Sequence, residues 1–350
     1  MPGKQRKKQL WLWLVIWLGG LNLLWGPSPA MAGRVLDLVR ANKTIRVGVS
    51  GVLAGFSYKD ETGTWQGLEV DLARAVAAAV LEDPRKVTFI EVTAANRFPV
   101  LLADKVELLL RNTTYTFNRE AAMGLRFANV YFFDGQTFMV PASSPIHTLA
   151  DLPGATIAYL RRTTHERNLT DFFQAKGWSF TGQPLETLPE LWEALQSGRC
   201  QAVTADRGEL AGIRLHAPGG PIAWRILPES ISEEPLAAVV RAGDEEWLLV
   251  VKWVIYALIE AEERGITQAN VREMLATPPN PSYQRFLASD GLAEKTLTLK
   301  PGWVIRVIEA VGNYGEIYNR HFGPHTPLHL ERGPNRVGKD GGLLFSPPFR

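Results

Sequence analysis

Residues 111–119 read RNTTYTFNR, and they follow an apolar run at 106–110 that predicts a short buried strand. Groups that bind carboxylates stand together at the end of this strand: the hydroxyls of Thr114 and Thr116, backbone N–H groups, and the guanidinium of Arg119. A guanidinium holds two carboxylate oxygens with its planar fork, while hydroxyl and amide donors satisfy the remaining lone pairs. The stretch is therefore a candidate carboxylate site. The alternative is a strand end with threonine caps and a surface arginine.

Strands and helices alternate on both sides of this stretch. Before it, a strand at 45–49 precedes an alanine-rich helix at 69–80, and a strand at 87–90 precedes a helix at 95–102. A second series of strands and helices is predicted at 156–160, 165–176, 191–196 and 201–205. The alternation predicts an α/β fold with mainly parallel sheets, in which ligands bind beyond the carboxyl ends of the strands.

Two extended segments divide the chain into two domains. A small, proline-bounded stretch at 141–145 follows a long extended segment, and a second crossing is predicted at 232–235. We therefore expect a first lobe from residues 33–140, an inserted second lobe from 141–234, and a return to the first lobe at 235–350 with a C-terminal extension.

The first 32 residues have the pattern of a signal peptide. Four basic residues precede an apolar run at 10–25, and Ala30-Met31-Ala32 offers small residues where a signal peptidase reads them. The apolar run is about 16 residues long, shorter than the roughly 20 that a membrane-spanning helix needs. We expect cleavage near Ala32 and a soluble protein exported to the periplasm. The alternative is an uncleaved membrane anchor.

Charge and cysteine content exclude several classes of function. The net charge of +2 becomes about −2 without the four basic residues of the targeting segment, so no nucleic-acid surface is expected. Cys200 is the only cysteine and forms no intramolecular disulfide; a buried thiol is expected. Histidines recur at 321, 325 and 329, but prolines between them prevent a regular helix. We predict no metal and no cofactor.

A second set of polar groups complements the first. Thr163 and Thr164 stand where the strand at 156–160 turns into a helix, and Asp206 follows the strand at 201–205. An aspartate there can pair with an ammonium, or it can cap the following helix. One domain thus offers a carboxylate site and the other an ammonium site, which together suit an α-amino acid zwitterion. Burying either charge without a partner costs roughly several kcal/mol, so a closed cleft that pairs both charges selects the zwitterion.

Runs of residues along the whole chain resemble one family. They are GFSY at 55–58, WQGLEVD at 65–71, RNTT at 111–114, YFFDGQ at 131–136, GRC at 198–200, EPL at 234–236, AEE at 261–263, VGNYGE at 311–316 and GGL at 341–343. The chain resembles the periplasmic solute-binding proteins of polar amino-acid ABC transporters, specifically the general L-amino-acid-binding branch. The resemblance implies the two-lobed periplasmic binding protein fold of type II, with hinge crossings near 140 and 237.

The resemblance also implies roles for individual residues. Arg119 would bind the substrate α-carboxylate with Thr114 and Thr116, Thr164 would add to this site from the second lobe, and Asp206 would bind the α-amino group. Such a protein binds an L-amino acid, docks on an inner-membrane ABC permease, and is expected to be a monomer. The alternative is a periplasmic enzyme on the same fold, such as a cyclohexadienyl or arogenate dehydratase, which would need a further acid or base at the ligand.

Three more residues bear on the choice of ligand. By resemblance, Phe56 would wall the pocket near the substrate side chain. Arg111 and Arg162 are within reach of the pocket in sequence, and if they line it they favour acidic or amide side chains; the alternative is that they form salt bridges elsewhere. Arg162 is also a departure, because the family commonly has glycine before the paired threonines.

Overall fold

In the described part of the chain, two five-stranded sheets are each packed against helices. The computed structural model describes residues 34–215, 217–288 and 291–349. The strands are β1 Ile45–Val49, β2 Val52–Leu53, β3 Ser57–Lys59, β4 Trp65–Gln66, β5 Val87–Glu91, β6 Leu108–Leu109, β7 Leu125–Asp134, β8 Gln136–Pro141, β9 Thr156–Leu160, β10 Thr181–Leu185, β11 Ala202–Asp206, β12 Trp224–Ile226 and β13 Glu234–Arg241. The helices are α1 Arg34–Asn42, α2 Leu68–Leu81, α3 Arg97–Leu102, α4 Phe117–Ala122, α5 His165–Lys176, α6 Leu188–Gln196, α7 Arg207–Leu215, α8 Glu245–Glu263, α9 Val271–Ala276, α10 Pro281–Ala288, α11 Leu292–Thr296, α12 Trp303–Val311 and α13 Tyr314–His321.

The first sheet, with the helices that cover it, forms lobe 1. Its strand order is β5-β1-β6-β13-β7, with β5, β1 and β6 parallel and β13 antiparallel to β6 and β7. Ile45, Val47 and Val49 of β1 are fully buried, as expected for parallel strands covered on both faces. The longest helix of lobe 1 is α8, and Asp244 caps its start by accepting the Trp247 N–H at 2.9 Å.

The second sheet, with its helices, forms lobe 2. Its strand order is β10-β9-β11-β8-β12, with β10, β9 and β11 parallel and β8 antiparallel to β11 and β12. The strand predicted at 156–160 and the helix predicted at 165–176 have the same bounds in the structure. Both sheets combine parallel strands with antiparallel strands next to the crossings. The predicted α/β class and two-lobed architecture are therefore confirmed.

The two sheets are joined at Gly135 and again just before Glu234. The extended segment predicted to run through 132–140 is divided, since β7 ends at Asp134 and β8 already belongs to the lobe 2 sheet. A Cβ on Gly135 would lie 2.8 Å from the Ser232 carbonyl oxygen, so the two crossings run in close contact. The first crossing therefore precedes the predicted one. The extended pattern in the sequence continues from β7 into β8, although β7 is hydrogen-bonded in the lobe 1 sheet and β8 in the lobe 2 sheet.

Helix α7 of lobe 2 lies directly against a loop of lobe 1. A Cβ on Gly212 would be 2.9 Å from the Ala54 carbonyl oxygen, and one on Gly208 would be 2.9 Å from the Phe56 ring. The loop can approach the helix this closely because both positions are glycines, which have no side-chain carbon. The two lobes are thus in contact through α7.

The C-terminal segment packs against lobe 1. Asn335 accepts the Phe133 N–H at 2.6 Å and donates to the Phe133 carbonyl at 2.9 Å, and Tyr314 donates to the Tyr131 carbonyl at 2.7 Å. These bonds tie the segment to β7, the strand that leads into the first crossing. The targeting segment predicted from sequence lies outside the described residues.

Candidate functional site

Loops and helix starts from both lobes meet around one small space, which we call the cleft site. Lobe 1 contributes Arg97, Arg111, Asn112, Thr114 and Arg119. Lobe 2 contributes Leu160, Thr163, Thr164, His165, Asp206 and Glu209. The space left among them has a volume of about 10 Å³, which is room for about one water. A larger ligand therefore enters only when the lobes separate.

Arg119 lines the cleft site from helix α4. The residue is 8% exposed, its guanidinium donates to the Thr114 carbonyl at 2.7 Å, and it lies 5.4 Å from the Phe98 ring centroid. Burial lowers the pKa of Arg119 from its usual range, and the charges of Glu234 and Asp206 offset part of that effect. Among the described residues the Thr114 carbonyl is the only acceptor for this guanidinium, so its other N–H groups suit an anionic ligand.

Two of the residues predicted to contact ligand are not among those that line the cleft site. Thr116 is the N-cap of α4, where its hydroxyl accepts the Arg119 N–H at 3.3 Å, so it holds the start of the helix that carries Arg119. Phe56 is fully buried and packs edge-on against Phe132 and Phe322, at centroid distances of 5.0 and 4.9 Å. Helix α7 also packs against the ring, since a Cβ on Gly208 would lie 2.9 Å from it.

Arg111 and Asn112 connect the two lobes. Arg111 donates to the Val92 carbonyl at 3.3 Å and to the Asn112 side chain at 2.6 Å. The Asn112 amide nitrogen donates in turn to Glu209 of lobe 2 at 2.8 Å. Asn112 has a φ of 27°, in the left-handed region that asparagine tolerates better than most residues. Arg162, by contrast, is exposed and does not line the site; its φ of 61° lies in the left-handed region that favours glycine.

Arg97, at the start of α3, was not predicted from the sequence. It is 2% exposed, and among the described residues its side chain has no hydrogen-bond partner; its guanidinium carbon lies 4.8 Å from the Phe98 ring centroid. Burial, with repulsion from Arg119 and Arg111, lowers the pKa of Arg97 well below its usual range. Three guanidiniums therefore converge on one side of the site. Nothing in the sequence around Arg97 distinguishes it from a surface arginine at a helix start.

The threonines of lobe 2 are held by neighbouring groups. Thr163 donates to the Leu160 carbonyl at 2.7 Å and accepts the His165 N–H at 3.2 Å. Thr164 donates to Glu234 at 3.0 Å, which ties it to the second crossing. Both threonines line the site, at the turn predicted from sequence.

The acidic side of the site comprises Asp206 and Glu209. His165 Nε2 and Asp206 Oδ1 are hydrogen-bonded at 3.1 Å, and both residues are at most 3% exposed. Burial raises the pKa of Asp206, His165 lowers it part of the way, and the charges of Glu234 and Glu209 raise it further. Burial alone would lower the pKa of His165, but Asp206 outweighs that effect and the pKa is raised. The cluster is thus short of positive charge, which an ammonium would supply.

Three buried atoms of the cleft site have no hydrogen-bond partner among the described residues. They are Arg97 Nε, His165 Nδ1 and Glu209 Oε1. Buried polar groups are normally satisfied, so these atoms point to a polar ligand. His165 and Glu209 were also missed from the sequence, although each adjoins a predicted residue: one follows Thr164, and the other lies one helical turn after Asp206.

Asp206 and Glu209, together with His165, have the arrangement of a cation site. Ligand atoms of His165, Asp206 and Glu209 all lie within 4.8 Å of one another. The three guanidiniums that line the same small space repel a divalent ion. The electrostatics of the site therefore favour a ligand that carries both signs of charge. That the protein binds no metal stays a prediction.

The fold and the cleft site define a class: two-lobed proteins that enclose a small charged solute between their lobes. The chain belongs to the bacterial extracellular solute-binding proteins, family 3, whose model matches residues 45–324. In the part of the chain that the structure describes, no helix is both long and apolar enough to cross a membrane.

The chain is similar to named relatives over most of its length. It is 42% identical over 335 residues to the general L-amino acid-binding periplasmic protein AapJ of Rhizobium johnstonii, covering 95% of this chain and 97% of the relative. It is 40% identical over 321 residues to the glutamate/glutamine/aspartate/asparagine-binding protein BztA of Rhodobacter capsulatus, covering 92% and 95%.

The similarity extends to solved structures, of which we give one. It is an ABC transporter periplasmic binding protein from Brucella ovis with glutathione bound, at a TM-score of 0.87 and 40% identity, covering 90% of this chain and 99% of that one. AapJ and BztA are named as amino-acid-binding proteins, and the Brucella protein as an ABC transporter periplasmic binding protein. An enzyme on the same fold is not supported.

Proposed function

We propose that this chain binds L-amino acids in the periplasm and delivers them to the permease of an ABC transporter. The observation that carries the proposal is that Arg119 and Asp206 line one small space from opposite lobes. An α-amino acid has one negative and one positive group a few bonds apart. A cleft with a guanidinium on one wall and carboxylates on the other pairs both groups at once.

Each end of the zwitterion has its own set of partners. Arg119 and Thr114 bind the α-carboxylate from lobe 1, and Thr164 adds a hydroxyl from lobe 2. Asp206 binds the α-ammonium, with Glu209 as a second carboxylate beside it. Support comes from the burial of Asp206 and Glu209, each 2% exposed, which makes an unpaired carboxylate there costly.

The preferred ligands carry an acidic or amide side chain. Arg97 and Arg111 remain after Arg119 has been assigned to the α-carboxylate, and the unpaired guanidinium of Arg97 supports a role in binding a second anionic group. The relative BztA is named for glutamate, glutamine, aspartate and asparagine, and the Brucella protein holds glutathione, which also has two carboxylates. We infer that glutamate and aspartate bind more tightly than alanine.

Delivery follows from closure of the lobes. The ligand enters an open form, bridges the two lobes, and so favours the closed form that the permease recognises. The protein acts as a monomer with a signal peptide removed near Ala32. N-terminal sequencing of protein from the periplasmic fraction of an expressing cell tests the cleavage site, and light scattering tests the monomer.

Isothermal titration with L-glutamate, L-aspartate, L-glutamine, L-asparagine, L-alanine and glutathione tests the ligand class. We expect glutamate to bind with a dissociation constant far below about 1 mM. Replacement of Asp206 by Asn should abolish binding of every amino acid, while Glu193→Gln, at an exposed residue of lobe 2, serves as the matched control. Unchanged glutamate binding by the Asp206 variant, or no binding of any compound by the native protein, refutes the proposal.

A further inference from the structure

A second cavity lies at the crossings between the lobes, and we call it the hinge cavity. Its volume is about 250 Å³, far larger than the cleft site. Among the described residues, the two sites share none. Asp134 at the end of β7, Arg207 of lobe 2 and Tyr318 of lobe 1 all line the hinge cavity. A molecule bound there contacts both lobes and the first crossing.

The two sites are adjacent through one turn of backbone. Asp206 and Glu209 line the cleft site, whereas Arg207 and Gly208 line the hinge cavity. The Gly208 N–H donates to the Asp134 carboxylate at 2.9 Å, so the start of α7 is tied to the hinge cavity. The four residues 206–209 therefore connect the walls of the two sites.

Aromatic and other apolar side chains form part of the wall of the hinge cavity. Phe132, Phe133 and Tyr318 line it from lobe 1, together with Leu330 and Pro334 of the C-terminal segment. Aromatic faces bind apolar groups and also attract cations. The cavity therefore suits a ligand with a small apolar body.

The charged groups of the hinge cavity differ in how well they are compensated. Arg332 is paired with both carboxylate oxygens of Glu262, and Arg207 donates to the Leu227 and Pro228 carbonyls. Among the described residues, the Asp134 carboxylate has only the Gly135 and Gly208 N–H groups as hydrogen-bond donors.

Two carboxylates of the hinge cavity lack a salt bridge among the described residues. They are Asp134, and Glu331 at the exposed rim. Burial, with repulsion from Asp206, raises the pKa of the Asp134 carboxyl well above its ordinary value, although the Gly135 and Gly208 N–H groups and the charge of Arg207 offset part of the rise. A positive charge beside Asp134 would remove this penalty. With Glu262 included, the formal charges around the cavity sum to one negative charge, which a monovalent cation balances.

We propose that the hinge cavity binds a small organic cation, a primary ammonium joined to an apolar or aromatic body. The ammonium pairs with Asp134 and the body packs against Phe133 and Tyr318. Because the walls come from both lobes, the bound cation favours the lobe arrangement seen here. By linkage, it strengthens the binding of a ligand in the cleft site.

Three probes of similar shape and different charge test the proposal: benzylammonium, benzyl alcohol and benzoate. Ligand-observed NMR and calorimetry on the mature protein measure their affinities. We expect benzylammonium to bind at least about tenfold more tightly than benzyl alcohol, and benzoate not to bind. Benzoate binding as tightly as benzylammonium overturns the proposal.

Variants locate the site. Asp134→Asn should abolish benzylammonium binding, and Glu331→Gln, at an exposed residue, should weaken it several-fold without affecting folding. Since Asp134 also holds the start of α7, circular dichroism and glutamate titration check that the variant is folded. Unchanged benzylammonium affinity in either variant refutes the assignment.

Competition separates this proposal from the proposed function. Saturating glutamate should leave benzylammonium bound, and benzylammonium should tighten glutamate binding about fivefold. Displacement of benzylammonium by glutamate, or no change in glutamate affinity, contradicts a separate and coupled site. If no amino acid binds at all, the cleft assignment fails, but the benzylammonium titrations of native protein and variants still decide the hinge cavity.

Discussion

Replacement of Arg97 by Met should stabilise the unliganded protein and weaken its binding of glutamate. Arg97 is 2% exposed, has no hydrogen-bond partner for its side chain among the described residues, and is repelled by Arg111 and Arg119. An unpaired buried charge costs several kcal/mol, roughly, of which methionine recovers about 1–3 kcal/mol while keeping the apolar contact with Phe98. The melting temperature of the unliganded protein should therefore rise by about 2–8 °C.

The same substitution removes the group that we assign to the second carboxylate of the ligand. Loss of one partner of a buried charge pair costs about 2–5 kcal/mol, so glutamate affinity should fall roughly 30-fold or more. Alanine has no second carboxylate and should lose much less.

Differential scanning fluorimetry and isothermal titration measure the two effects. Arg162→Met is the matched control, because Arg162 is exposed and does not line the cleft site; it should change neither quantity. The reasoning is refuted if Arg97→Met lowers the melting temperature and leaves the ratio of glutamate to alanine affinity unchanged.

Three further predictions concern the cleft. Arg119→Lys should weaken the binding of every L-amino acid by about 2–3 kcal/mol in titration calorimetry, since an ammonium cannot form the bidentate contact of a guanidinium. Equal affinity of the variant and the native protein would rule out the carboxylate role. The affinity for amino acids should rise as the pH passes through the raised pKa of His165. Protonated His165 competes with the ligand ammonium for Asp206, so binding releases the His165 proton and is favoured at higher pH. Titrations across this range should lose the dependence in His165→Gln, and a dependence that persists would assign it elsewhere. Gly212→Ala should weaken glutamate several-fold, because the added methyl meets a lobe 1 carbonyl at 2.9 Å. Gly338→Ala, whose methyl would meet nothing closer than 3.9 Å, should have no such effect.

Most of the fold could be predicted because its determinants are local. The helix at 165–176 and the strand at 156–160 follow from periodicity and from the residues that bound them, and both were predicted with the observed bounds. The first crossing was predicted too late. An extended segment looks the same in sequence whether its hydrogen bonds go to one sheet or to another, and Gly135 is the one residue that separates β7 from β8.

The candidate site was predicted in part. Arg119, Thr114, Thr164, Arg111 and Asp206 were all named from sequence and all line the cleft site, because strand ends in one α/β sheet share an edge. Whether they contact ligand stays a prediction. Thr116 and Phe56 were named for the same pocket and do not line the cleft site, since Thr116 caps α4 and Phe56 packs among aromatic rings; their contact with ligand likewise stays a prediction. These local competitors are visible only when the neighbours of each side chain are known.

The sequence by itself determined the alternation of strands and helices in both lobes, and with it the carboxyl ends where a carboxylate group and an ammonium group would be bound. Only the tertiary structure decided that Arg97 and Glu209 join them, since burial of a charge depends on residues far away in the chain. The same holds for the contact of α7 with lobe 1 and for the hinge cavity. Periodicity and capping act over a few residues, whereas desolvation and the meeting of two lobes are properties of the folded chain.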